Sequence, residues 1–99
     1  MNEVKLKGML GLALRARKLV TGSLPVEKAL ASGKALLVLA DEGMSADSMK
    51  KLESACLKKN VPLRKLPAAY LEQAVSNPGR MCACVTDKNF SDRINELMD

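Results

Sequence analysis

The 99 residues fit one domain, 1–99, and a hydrophobic fraction of 47% supports a packed core over disorder. Sixteen Lys and Arg against 11 Asp and Glu leave a net charge of +5, a balance that favours polyanionic partners, nucleic acid above all. No histidine occurs, which removes the commonest general base and the usual nitrogen ligand for zinc.

In chain order, residues 3–16 read as a helix, because Leu6, Met9, Leu10, Ala13 and Leu14 recur at three- and four-residue spacing. Lys18 to Val20 is a short strand ended by Gly22. Pro25 marks the first turn of a second helix with Val26, Ala29 and Leu30 inward, and Gly33 is placed to end it. The unbroken apolar run Ala35 to Ala40 predicts a strand buried on both faces. Residues 45–59 form a third helix, with Met49, Leu52, Ala55 and Cys56 inward and Lys50, Lys51, Lys58 and Lys59 outward; Asn60 follows as a left-handed cap. Leu63 to Leu66 is a brief strand, and a helix runs from about Pro67 to Val75. Ser76-Asn77-Pro78-Gly79 is a turn, Met81 to Thr86 a buried strand, and Asp87 caps a last helix whose inner face carries Phe90, Ile94 and Leu97. Strands interleaved with helices predict a helix–sheet–helix sandwich of the α/β class.

The same residues exclude most chemistry. The chain lacks GxGxxG and GxxxxGK[ST] phosphate loops. The adjacent carboxylates Asp41 and Glu42 follow the central strand, a place where acids more often approach a helix or face solvent than act as a catalytic pair. Cys56, Cys82 and Cys84 form no CxxC; Cys82 and Cys84 share a strand face, cannot easily bridge, and read as reduced core thiols. No catalytic residue, metal ligand, cofactor or small-molecule substrate is expected. The first seven residues carry charges and no apolar signal core, and the longest wholly apolar run is too short to span a bilayer, so a cytoplasmic location without membrane contact is expected. Tyr70 and Phe90 are the only aromatic residues, too few for a base-stacking platform, so any RNA would be recognised by its folded shape and its phosphates.

One pattern runs through these elements. Thr21-Gly22-Ser23 through Val26, Lys28-Ala29, Gly33-Lys34-Ala35 and Leu37-Val38 resembles the "G-x-N-E-x-x-K-A…G-x-A-x-L-V" block of the kink-turn-binding ribosomal protein family of the L7Ae type. The run from Cys56 to Pro62 is similar to that family's "C-x-x-K-N-V/I-P" element, and Leu71, Ala74 and the strand Cys82 to Asp87 match its closing block. The start, LGLALRARKLVTG, looks most like the family's bacterial YlxQ-type branch.

The resemblance implies a three-layer α/β/α sandwich with a mixed four-stranded sheet. It also implies a ribosome- or translation-associated partner to structured RNA, either ribosomal RNA or another kink-turn-like RNA. The second helix would enter that RNA by its N-terminus, assisted by the loop before the last strand. The candidate contacts are Thr21, Gly22, Ser23, Leu24, Pro25 and Lys28, with Arg15, Arg17, Lys18, Lys34 and Arg80 as a phosphate-tracking surface. Two departures narrow this. The family's Asn-Glu pair, which reads sheared G·A pairs, falls on Leu24 and Pro25, neither of which offers a side-chain hydrogen bond. Two family glycines fall on Glu72 and Ser76. The alternative is a protein-interaction module on the same fold with RNA recognition lost or weakened.

Overall fold

Asn2 opens the first helix, its side chain accepting a hydrogen bond from the Lys5 N–H, in a computed structural model that describes residues 1–99. In chain order the elements are α1 (Glu3–Arg15), β1 (Leu19–Thr21), α2 (Ser23–Ala31), β2 (Leu37–Asp41), α3 (Ala46–Lys58), β3 (Leu63–Leu66), α4 (Tyr70–Val75), β4 (Cys82–Val85) and α5 (Lys88–Met98). The four strands lie in the order β1-β4-β2-β3, with β2 and β3 parallel and β4 antiparallel to both of its neighbours. The sheet is therefore mixed, as the family resemblance implies.

Alternation along β2 explains the layers. Leu37 and Leu39 point to one face, where Leu6, Leu10, Leu71 and Ile94 from α1, α4 and α5 close over them. Val38 and Ala40 point to the other, under Val26 and Leu30 of α2 and Met49 and Leu52 of α3. Every residue of β2 is buried, which is why its sequence shows no alternation. The three layers are thus α1, α4 and α5, then the sheet, then α2 and α3.

Three helices end in the same way. The N–H of Lys18 reaches the carbonyl of Ala13, that of Lys34 reaches Ala29, and that of Val61 reaches Cys56. In each case the residue just before is left-handed: Arg17 at φ 61°, Gly33 at φ 74° and Asn60 at φ 57°. This pairing of bonds satisfies carbonyls that a helix end would leave open. Asn60 fills the capping role read from the sequence, whereas Arg17 in that conformation has no sequence signal.

The structure moves some boundaries. The second strand, β2, starts at Leu37 and not Ala35, and it extends through Asp41. The helix after β3 starts at Tyr70, because Pro67 to Ala69 form a turn that ends in a left-handed Ala69. Asp41 departs from the solvated reading of its sequence position: it is 1% exposed. One of its carboxylate oxygens accepts the Gly43 N–H at 2.6 Å and the other the Ala69 N–H at 2.8 Å. It ties the loop after β2 to the loop after β3, while the neighbouring Glu42 is exposed. No helix is long and apolar enough to cross a membrane.

Candidate nucleic-acid interface

The C-terminal ends of β1, β2 and β3 and the N-terminal end of β4 meet at one end of the sheet, since β4 runs against β1 and β2. Gly22 leaves β1 there at φ 97° and ψ 158°, a backbone region that glycine alone adopts without strain. Its N–H donates to the Cys82 carbonyl, and its own carbonyl accepts the first helical bond of α2, from Val26. The helix therefore starts at Ser23, two residues before the Pro25 signal, and Pro25 lies inside its first turn.

This geometry sets the donors available. Ser23 and Leu24 point their N–H groups out of the helix start without an acceptor in the chain, and Pro25 has no N–H to give. Two main-chain donors at the positive end of a helix attract an anion. No acidic residue stands in the first turn of α2 to compete. Leu24 is 61% exposed beside them, with its apolar side chain in solvent.

Arg80 arrives from the loop before β4. A Cβ placed on Gly22 would lie 2.7 Å from Arg80 Nη1, so the guanidinium occupies the space that the glycine leaves open. The Arg80 Nε is buried and has no hydrogen-bond partner within the chain. The loop that carries Arg80 is held by Glu72, whose carboxylate accepts the Gly79 N–H at 2.8 Å. Ser76 adopts φ 53°, the conformation a glycine would favour at that position. Glu72 thus stabilises the loop through its charge.

Sequence spacing alone gives no sign of the neighbours across helices. Ser23 and Glu27 face Ser48 and Lys51 of α3 across a cleft of about 120 Å³, whose floor includes Cys82. Burial pushes the Cys82 thiol above its usual pKa, with the Ser23 hydrogen bond working against that rise. Lys51 is therefore a cation near the helix start that only the packing of α2 on α3 reveals.

The structure brings Thr21, Gly22, Ser23, Leu24, Pro25 and Arg80 together, with Lys28 exposed further along α2. It does not bring Arg17, Lys18 and Lys34 to that end. Lys18 precedes β1 and Lys34 precedes β2, so both stand at the opposite end of the sheet, beside Thr86. Arg15, in the last turn of α1, lies along a separate hollow with Gly11 and Ala74, where Lys7 Nζ stands 5.6 Å over the Tyr70 ring.

Comparison with known proteins gives a consistent picture. The model of the ribosomal protein L7Ae/L30e/S12e/Gadd45 family matches residues 4–95. The chain is 36% identical over 92 residues to the RNA-binding protein YlxQ of Bacillus subtilis, covering 92% of each. A Bacillus halodurans protein of unknown function superposes with a TM-score of 0.88 at 32% identity, over 96% of this chain and 97% of that one. A Giardia lamblia 15.5kD RNA binding protein shares the fold alone, with a TM-score of 0.73 at 20% identity over 95% of this chain and 82% of that one.

Proposed function

The chain belongs to the ribosomal protein L7Ae/L30e/S12e/Gadd45 family, and from that membership we propose that it is an RNA-binding protein gripping structured RNA at the Gly22 turn. The observation that carries this reading is the pairing of Gly22 with Arg80. A backbone with no Cβ, two free N–H groups on Ser23 and Leu24, and a guanidinium with a buried, unpartnered Nε converge on one small surface. Such a surface holds phosphate and sugar oxygens, and it fits an RNA bent enough to bring its backbone onto a helix start. A kink-turn or related internal loop, in ribosomal RNA or another cytoplasmic RNA, has that shape. Leu24 and Pro25 supply no base-reading hydrogen bonds, so grip exceeds sequence discrimination.

Titration of a kink-turn duplex, an unkinked control duplex and ribosomal RNA fragments at several salt concentrations tests this. Preference for the folded RNAs, with affinity falling as salt rises, supports the reading. Absence of binding to any of them at low salt sinks it.

Leu24 motivates a second reading. A leucine exposed at a functional edge equally suits a protein partner on the same fold, with RNA recognition lost. Partners captured from lysate that survive nuclease treatment favour that reading, and partners that vanish favour RNA.

A further inference from the structure

The two ends of the sheet differ in charge. At the Gly22 end, Asp41 closes β2 and the loops and first helical turns carry Glu42, Asp47 and Glu72, with Glu27 one turn along α2, against Arg80 and the Lys51 of α3. At the opposite end, the three helix-to-strand loops carry Arg17, Lys18, Lys34 and Lys59, all exposed. The acid of that edge, Asp87, is committed to capping α5 through the Phe90 N–H at 3.0 Å. Lys58 adds a further cation, and Lys88 is the one paired locally, with Asp92 at 3.0 Å. The net charge of +5 is therefore concentrated away from the candidate interface.

We propose that this basic end is a second RNA-backbone surface, so that the chain bridges two segments of one folded RNA. The inference rests on the RNA-binding reading above and adds a second point of attachment. Its geometry is that of a row. The edge runs Lys18, then Thr86, then Lys34 and Leu36, then Lys59 to Pro62, tied by bonds from Thr86 N–H to the Lys18 carbonyl, Leu36 N–H to Val85 and Val38 N–H to Pro62. Four strands at about 4.8 Å spacing make this row roughly 15 Å long.

Each cationic loop is fixed. Lys18 and Lys34 occupy equivalent positions in the same helix-ending motif, just past the left-handed residue, and Lys59 precedes that residue in the third copy. Cations at helix C-termini complement the helix dipole, which accounts for about one charge at each of three helix ends. Arg17 with Lys18, and Lys58 with Lys59, exceed that. Phe90, the one aromatic residue near this edge, packs against the core under α1, α4 and α5, so the edge suits the phosphates of a duplex and not unstacked bases. The whole molecule measures 31 × 26 × 23 Å, which lets two arms of one bent RNA reach both ends.

The test compares the wild-type chain, Lys18→Gln/Lys34→Gln/Lys59→Gln, and Arg80→Ala. The probes are a kink-turn duplex and a plain duplex carrying different fluorophores. The three lysines make no side-chain hydrogen bond or ion pair, so circular dichroism should show the triple variant folded. The wild-type chain is expected to bring both duplexes into one complex. The triple variant is expected to keep the kink-turn duplex, lose the plain one, and flatten the slope of log K against log salt by about 2–3. An unchanged slope and an intact two-duplex complex in the triple variant overturn the proposal. If Arg80→Ala alone then abolishes kink-turn binding, the proposed function still stands. If the wild-type chain binds neither duplex, the proposed function falls and takes this inference with it.

Discussion

Gly22 and Arg80 share one volume: a methyl group on the glycine would sit 2.7 Å from the arginine Nη1. The two residues come from different strands, one leaving β1 and the other entering β4, and antiparallel pairing of those strands brings them together. Two separate demands therefore fall on position 22. Its φ of 97° needs glycine, and any side chain there would also oblige the guanidinium end of Arg80 to move aside.

Gly22→Ala is expected to destabilise the fold by about 1–3 kcal/mol through backbone strain, with a further steric cost from Arg80. Urea unfolding of the two single variants and of Gly22→Ala/Arg80→Ala separates these costs. The double variant should be more stable than the sum of the singles predicts, because removing the guanidinium relieves the clash and leaves only the strain. Strict additivity would show that the two side chains do not compete.

Arg80→Ala alone should leave stability almost unchanged, since its Nε has no partner to lose. RNA affinity should fall at every salt concentration, and Arg80→Lys should not restore it, because an ammonium cannot reproduce the planar fork. Equal affinity of all three proteins in a fluorescence-anisotropy titration would remove Arg80 from the interface.

Asp41→Ala should cost about 3 kcal/mol or more, measured by urea unfolding, because it strands the N–H groups of Gly43 and Ala69 and unties two loops. Much of this chain was legible before its structure: the order of elements, the buried central strand, the Asn60 and Asp87 caps and the Gly22 turn all follow from local pattern. Asp41 was not, because the amides it serves lie two and twenty-eight residues away and one belongs to a left-handed alanine. Nor was the placement of Lys18 and Lys34. They are close to Gly22 in sequence, but each stands at the start of a strand or its approach, and strand direction decides which end that is. Lys51 depends on how two helices pack, which residue spacing does not encode.

The thiols give a pH prediction. Burial, first, and then the nearby Cys56 raise the Cys84 pKa from 9.0 to about 11, and burial likewise raises Cys56 and Cys82. Between these values the unfolded chain loses thiol protons while the folded chain keeps them, so the unfolded state gains. Stability should be complete below about pH 8 and should decline as pH rises from 9 towards 11. Urea midpoints across that range check this, and Cys84→Ala should flatten the decline. At pH 8 a thiol reagent should leave the native chain unmodified and react once urea is added.

Leu24→Asn/Pro25→Glu restores the pair that the family resemblance assigns to base reading. Each recovered base contact is worth about 1–3 kcal/mol, so affinity for a kink-turn duplex should rise at least tenfold relative to an unkinked control. No gain in that ratio would mean that the rest of the surface does not present the pair to RNA as the family does.

The central claim is that RNA meets the main chain at Gly22, Ser23 and Leu24 beside Arg80. Amide chemical shifts of the 15N-labelled chain, followed as a kink-turn duplex is added, test it most directly. The account predicts large changes at Gly22, Ser23, Leu24 and Arg80, including downfield movement of the free Ser23 and Leu24 amides as they gain acceptors. Binding accompanied by unmoved signals at all four residues would contradict it.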